Sequence, residues 1–194
     1  PRWVDGTSVG GCSYMIHIRH AVAALESGLC DTVLITHGES GRSRAGALAP
    51  PVFANHYDQQ FELPYGVSIA PTRFTLPVMR MMKDTGLTVE QLATVAVVQR
   101  EWAAFHPRAS FRDPITVDDV LSSKMIAWPF RKLMCCLVTD GGGALILTSA
   151  ERAKDFPQKP VYVLGTGESV ETPLVSQMED FTTSKAFRVS GKKA

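Results

Sequence analysis

Residues 10–40 read GGCSYMIHIRHAVAALESGLCDTVLITHGES, and this stretch decides the fold. Apolar side chains recur at helical spacing over residues 13–25, after a glycine pair and before Gly28. The pattern predicts an amphipathic helix that follows a tight glycine turn and ends at a glycine C-cap. Residues 31–36 are rich in β-branched side chains without polar alternation, which predicts a central strand covered on both faces. With the polar loop expected over 37–41, they form one unit of a doubly wound α/β domain.

Apolar patterns further along the chain predict three more helices, over residues 71–84, 89–105 and 117–122. Gly86 follows the first of them and would end it. Thr88 and Gln91 have the spacing of a capping box at the start of the second, and Thr116 would cap the third. We therefore expect a mostly helical insertion over residues 42–134.

Strand character returns after this insertion. Residues 144–148 and 161–164 each form a short apolar run that predicts a strand, and a glycine loop over 140–143 precedes the first. The polar, proline-bounded connection over 149–160 is typical of a boundary between two halves of a larger fold. Residues 41–71 mix proline, glycine and aromatic residues without a period, which predicts a long surface excursion.

The composition excludes several classes of protein. With 194 residues, 45% hydrophobic and 20% charged, the composition is that of a soluble, core-forming chain of one domain or two small ones. The formal net charge is +1 without blocks of like charge, so neither nucleic acid nor a membrane surface is expected as main partner. No apolar run approaches the roughly 18 residues of a membrane span. The chain begins with Pro1 rather than Met, and we expect it to be part of a longer protein.

The four cysteines bear on the compartment and on metal binding. They stand at positions 12, 30, 135 and 136. This spacing fits neither a disulfide framework nor a zinc motif, so we expect no metal site and a reducing, cytoplasmic location. The adjacent pair Cys135 and Cys136 suits a redox role less than a place in the core, because adjacent cysteines reach disulfide geometry only with strain.

Six short motifs follow one another in a specific order. They are VGGCS at 9–13, GLCD at 28–31, GES at 38–40, DPITVDDVL at 113–121, CC at 135–136 and DGGGA at 140–144. In this order they resemble the thiolase superfamily, in particular the sterol-carrier-protein-X thiolases and their bacterial lipid-transfer-protein or aldolase-like relatives. The resemblance implies a layered α/β/α fold with a mostly helical loop domain inserted in the first half.

The resemblance also implies a division of the chain. Residues 1–41 and 135–150 would belong to the N-terminal thiolase-like half, and 135–150 would hold its last strand. Residues 42–134 would form the loop domain that covers the CoA moiety. Residues 161–194 would begin the C-terminal half, and the motifs that carry the family's catalytic histidine and second cysteine are not among these residues.

The implied function is an enzyme that acts on an acyl-CoA thioester by making or breaking a carbon–carbon bond, as an acyltransferase or by retro-aldol cleavage. The alternative is a non-catalytic lipid or acyl-CoA binding protein with the same fold. CoA thioester would be the substrate, with no bound cofactor. The resemblance implies a homodimer or higher oligomer that pairs near residues 3–9, and the aldolase-like branch suggests a small CoA-binding partner subunit.

Cys12 and Gly11 are the candidate catalytic positions. A thiolase needs its thiolate at a helix N-terminus, because the free N–H groups and the helix dipole there lower the pKa of a thiol. Cys12 occupies such a place, as a nucleophile or as a structural cysteine. Counting back from the GLCD motif puts the family's nucleophile at Gly11, and one helical residue turns a side chain by about 100°. The GGCSY form resembles the branch that lacks the thiolase cysteine.

Other polar residues are weaker candidates. His17 and His20 stand three apart on the helix, where packing with bonded ring nitrogens is favoured over zinc binding. His37 follows the predicted strand, at the end where α/β sheets place function, although a loop histidine with ordinary partners is the simpler interpretation.

Two further groups of residues relate to the expected CoA ester. The tyrosines that would serve as acids in aldol chemistry are Tyr14, Tyr57 and Tyr65. The arginines available for a CoA phosphate are Arg42, Arg44, Arg73, Arg80, Arg100, Arg108 and Arg112. Glycines 141–143 lack the helix start of a phosphate loop and would instead let the backbone approach the active-site helix closely.

Overall fold

Helix α1 and strand β1 carry the centre of the fold. In the computed structural model, which describes residues 1–43 and 57–194, α1 covers Ser13–Glu26 and Gly28 follows with φ 68°. The predicted helix and its glycine end are confirmed. Strand β1 covers Thr32–Ser40, so it continues through the positions predicted as a loop. Arg44 and much of the predicted surface excursion lie outside the described residues.

Strand β1 is longer than predicted because it has a long partner. Strand β4, Asp140–Thr148, runs antiparallel to it, from Thr32 opposite Thr148 to Ser40 opposite Asp140. The predicted strand over 144–148 is therefore the second half of β4, and the prediction of a glycine loop over 140–143 is wrong. Of these glycines, Gly142 makes the close backbone approach, and it does so to His37 and Gly38 of β1.

The prediction that β1 is central and covered on both faces is wrong for the described part of the chain. Within that part β1 pairs with β4 alone, and of its residues only Val33 is buried. Leu34, on the opposite face, is 62% exposed. A strand becomes doubly covered only with elements on both faces, whereas α1 packs on one, with Ala21 and Ala24 fully buried or nearly so. The predicted α/β class is thus confirmed, with α1 packed on one face of the sheet formed by β1 and β4.

In the residues that the structure describes, five further α-helices precede a small hairpin. They are α2 (Tyr57–Phe61), α3 (Ala70–Arg73), α4 (Thr75–Thr85), α5 (Val89–Ala104) and α6 (Val117–Ser122). Thr88 caps α5 through reciprocal hydrogen bonds with Gln91, as predicted, and Thr116 caps α6. The single helix predicted over 71–84 is wrong, because it divides at Phe74. Pro77 has no N–H to donate to the carbonyl of Arg73, four residues earlier.

The remaining elements are short. The hairpin pairs β2, Met125–Ala127, with β3, Phe130–Arg131. Helix α7 covers Ala150–Ala153 and α8 covers Lys185–Lys193.

The strand predicted over 161–164 is wrong for the described residues, where this segment belongs to neither sheet. Val161 is 94% exposed and Leu164 is 95% exposed. An apolar run favours strand conformation, but a strand also needs an edge to pair with.

The described chain divides into two compact units. The first comprises residues 1–43, 138–171 and 185–194, and contains α1, β1 and β4. The second comprises residues 57–137 and 172–184, with a core that includes Ala93 and Val120. The domain limits suggested by the family resemblance stay a prediction. None of the helices in the described residues combines the length and apolar content that crossing a bilayer requires.

Candidate active site

The turn before α1 is held by the hydroxyl of Ser13. This side chain is 7% exposed, and its Oγ donates to the carbonyl of Gly10 at 2.7 Å and accepts from the N–H of Val9 at 2.9 Å. Gly10 adopts φ 82°, which glycine tolerates and other residues rarely adopt. The first turn of α1 therefore starts from a fixed backbone. The motif over residues 9–13 contains Ser13, but the sequence alone does not indicate this role for its hydroxyl.

Cys12 occupies the N-cap of α1. Its thiol is exposed and donates to the carbonyl of Val9, with Sγ 3.5 Å from the oxygen. The side chain forms no capping hydrogen bond, so the first N–H groups of the helix have no partner from it. Gly11 is exposed, and a Cβ added there would meet no atom within 4 Å. Both candidate positions lie at the helix N-terminus, and their catalytic roles stay predictions.

His17 and His20 hold the N-terminal segment against α1. The Nε2 of His17 bonds the backbone of Thr7, lying 3.0 Å from its carbonyl oxygen and 3.2 Å from its nitrogen. The Nδ1 of His20 lies 2.5 Å from Oδ2 of Asp5, and this hydrogen bond, with one from Gly6 N–H, holds the pKa of the Asp5 carboxyl below its usual 3.8. The expected bonded ring nitrogens are present. Over residues 1–43 and 57–194, no group of three or more His, Cys, Asp or Glu side chains is placed to hold a metal ion.

Tyr14 and His37 line a groove of about 330 Å³. Their rings meet edge to face, with centroids 4.9 Å apart and planes at 63°. Ile35 of β1 and residues 143–145 of β4 complete the lining, and we call this space the Tyr14–His37 groove. His37 lies inside β1, opposite Gly143, and not in the loop predicted for it. The structure thus joins two residues that the sequence suggested separately.

Cys12 is not among the residues that line this groove. It lies two residues before Tyr14, with near-helical φ −88° and ψ 0°. Two helical steps turn a side chain by about 200°, so a side chain at Cys12 faces away from the side on which Tyr14 borders the groove. The hydrogen bond of the thiol to Val9 agrees with this orientation.

A second cavity, of about 440 Å³, lies between the N-terminal segment, α1 and β1. Residues 1–5, His17, His20, Cys30 and residues 32–36 line it. Residues 3–9, expected near a dimer seam, contain no helix or strand. The histidine contacts described above hold the segment at this cavity.

Several other candidates lie in the second unit. Tyr57 and Tyr65 belong to it and are 59% and 84% exposed. Cys135 is partly buried, which raises the pKa of its thiol, and its Sγ lies 3.5 Å from the carbonyl of Arg131. Cys136 is exposed, so its predicted place in the core is wrong. The short helix over residues 132–134 ends there and leaves this side chain at the surface.

Three of the candidate arginines hold groups of the protein itself. Arg73 pairs with Asp58 at 3.8 Å, Arg80 pairs with Asp84 at 2.6 Å, and Arg100 donates to the carbonyl of Asp113 at 3.0 Å. Arg108 and Arg112 are exposed, and the backbone N–H of Arg42 donates to Asp140 at 2.8 Å.

Comparison with known proteins finds relatives by sequence and by structure. No family model matches the chain. An acetyl-CoA acetyltransferase of Methanothermobacter thermautotrophicus is 34% identical over 166 residues, which are 85% of this chain and 42% of that protein.

Two examples represent the solved structures that are similar to this chain. An Ltp2–ChsH2(DUF35) aldolase has a TM-score of 0.82 and 28% identity, over 95% of this chain and 48% of that chain. An SCP2-thiolase-like protein type 1 from Mycobacterium smegmatis shares the fold, with a TM-score of 0.74 and 22% identity over 97% of this chain and 40% of its own. The chain spans under half the length of each of these proteins. By sequence and by fold, the homologues of this chain are SCP2-thiolase-like proteins.

Proposed function

We propose that this chain is part of an enzyme that cleaves or forms a carbon–carbon bond in an acyl-CoA thioester. The reaction follows retro-aldol chemistry, without a covalent cysteine intermediate. The observation that carries the proposal is the Tyr14–His37 groove at the first turn of α1, from whose lining Cys12 is missing. The similarity to a solved aldolase supports the same reaction class.

Retro-aldol cleavage needs acid–base groups and stabilisation of negative charge. A base takes the proton of a β-hydroxyl, the Cα–Cβ bond breaks, and its electron pair moves into the thioester as an enolate. A proton added at Cα completes the reaction. The imidazole of His37 and the phenol of Tyr14 are side chains of the groove that exchange protons. The N–H groups of Ser13 and Met15 at the start of α1 already donate to the carbonyls of Gly10 and Cys12, so what this helix end offers a developing oxyanion is the positive end of the helix dipole.

The finer features of the family belong to the same proposal. They comprise the layered α/β/α arrangement, a loop domain that covers CoA, a cytoplasmic location, and assembly as a homodimer or with a small CoA-binding subunit. The CoA thioester is the substrate, and the reaction as written uses no metal or bound cofactor.

The second candidate function is acyl transfer through Cys12. The exposed thiol at the N-terminus of α1 favours it, as does the likeness to an acetyl-CoA acetyltransferase. The acyl-enzyme route needs a nucleophile that reaches the thioester carbonyl.

The two routes differ in what happens when Cys12 is removed. We expect the full-length protein with Cys12→Ala to retain activity on a branched β-hydroxyacyl-CoA within about twofold. We also expect iodoacetamide to label Cys12 at the same rate with and without an acyl-CoA. Loss of activity in Cys12→Ala, together with protection by the acyl-CoA, would establish the acyl-enzyme route instead. Binding without turnover above buffer would leave only the non-catalytic binding protein.

A further inference from the structure

We propose that the Tyr14–His37 groove binds the acyl group of the thioester, and that Gly143 determines how large an acyl group fits. This inference rests on the proposed function, because it names the part of the substrate that the groove receives. The sequence predicts a glycine loop at Gly143, whereas the structure places this residue in strand β4 and in the lining of the groove.

The β1–β4 register creates the space. Ile35 stands opposite Leu145, and His37 stands opposite Gly143, so all four lie on one face of the sheet. Val33, two residues before Ile35 on that face, is buried. The face therefore passes from a covered end at Val33 to an open end at His37.

The open end exists because Gly143 has no side chain. A Cβ added there would meet no atom within 4 Å. The side chain opposite it, His37, leans against Tyr14 of α1. A side chain at position 143 would therefore extend into the groove rather than into another part of the described chain.

The size and chemistry of the groove suit an acyl group. The groove has a volume of about 330 Å³, which is at the lower end of the range for ligand pockets. A groove of this volume suits a short acyl group better than a whole CoA ester. No lysine or arginine lines it, so it offers no cation to the CoA phosphates. Ile35 and Leu145 supply an apolar floor, and the two rings supply polar groups on one wall. This distribution matches an apolar group with a polar function near the thioester.

The apolar surface of the groove is open in the described residues. Leu145 is 51% exposed and Tyr14 is 37% exposed. Exposed apolar surface at a concave place is typical of a binding site. The acyl group is the occupant that we infer, and coverage by another part of the full-length protein is the competing outcome.

The test uses Gly143→Val in the full-length protein, with Gly141→Val as the matched control. Both glycines lie in β4 on the same face, and a Cβ at either meets nothing within 4 Å. Gly141 stands opposite Glu39 and does not line the groove. The two variants therefore place the same side chain in the same strand, inside and outside the groove.

Isothermal titration calorimetry with CoA and with hexanoyl-CoA isolates the contribution of the acyl group. We expect Gly143→Val to raise the Kd for hexanoyl-CoA about tenfold or more, without changing the Kd for CoA. Gly141→Val should change neither Kd. Equal effects of the two variants, or no effect of either, would overturn the inference.

Two further measurements separate the possible failures. A fall in Tm for Gly143→Val, well beyond that of Gly141→Val, would show that protein fills the groove and would also overturn the inference. Hexanoyl-CoA binding that obeys the expected pattern without turnover of any acyl-CoA would refute the proposed catalysis and leave the groove assignment standing. Failure of the unsubstituted protein to bind hexanoyl-CoA would refute both.

Discussion

Gly142 is the position at which a single methyl group should test the paired strands most directly. A Cβ placed there would lie 2.6 Å from the carbonyl oxygen of His37 and 3.1 Å from Cα of Gly38. Real Cβ atoms essentially never approach another atom within 3.0 Å. Because both neighbours are backbone atoms, no side-chain rotation relieves the contact, and β1 and β4 must separate locally.

The cost of Gly142→Ala follows from that separation. Inserting a methyl group into a closely packed place costs about 1–3 kcal/mol. The control Gly141→Ala, whose Cβ meets nothing within 4 Å, loses nothing comparable. Where the backbone is compatible, replacing glycine by alanine even stabilises a protein, by about 0.4–1 kcal/mol, since the unfolded chain loses freedom.

Urea unfolding of both variants measures this difference. We expect Gly142→Ala to lower the free energy of unfolding by about 1–3 kcal/mol with an unchanged m value. We expect Gly141→Ala to match or slightly exceed the unsubstituted protein. If Gly142→Ala were as stable as Gly141→Ala, the close approach of β4 to His37 and the register behind it would be wrong.

Two further predictions concern the helix cap and the N-terminal segment. Thr88→Ala should destabilise the protein by about 1 kcal/mol in thermal unfolding, because α5 loses its hydrogen bond to the N–H of Gln91, whereas Thr88→Ser should retain most of it. The hydrogen bond to His20 lowers the pKa of Asp5 in the folded state, so its contribution to stability is present above the usual 3.8 and is lost as pH falls through the lower folded value. The Tm difference between the unsubstituted protein and Asp5→Asn should therefore close as pH falls below 3.8, and a difference that stayed constant down to acid pH would contradict the contact.

Helices α1, α5 and α6 and the end of α4 could be predicted because their signals are local. Thr88 and Gln91 lie three residues apart, and Gly86 directly follows the last turn of α4 with φ 74°. Each signal acts through hydrogen bonds within a few residues of the chain, so the order of residues contains the information. The break between α3 and α4 at Phe74 also has a local cause, because Pro77 removes one helical hydrogen bond. The apolar pattern by itself does not indicate this break.

The strands were less predictable because pairing joins distant residues. The loop expected at His37 is strand, since residues 140–143 are there to pair with it. The segment over 161–164 has an equally favourable composition, but in the described chain it pairs with no strand. Propensity thus identified apolar runs, and the presence of a partner decided which became strand. The Tyr14–His37 groove escaped prediction for the same reason.

A shift of one residue along the chain also matters at the candidate nucleophile position. From the sequence, Cys12 and Gly11 differ by one position, yet one position changes the direction of a side chain by about 100°. Hydrogen bonds of the turn before α1 fix the direction of the Cys12 side chain. Ser13 Oγ ties Val9 to Gly10, and the Cys12 thiol then bonds the Val9 carbonyl, away from the side that Tyr14 presents to the groove. The proposed retro-aldol route needs no cysteine in the groove, and the direction of the Cys12 thiol agrees with that proposal.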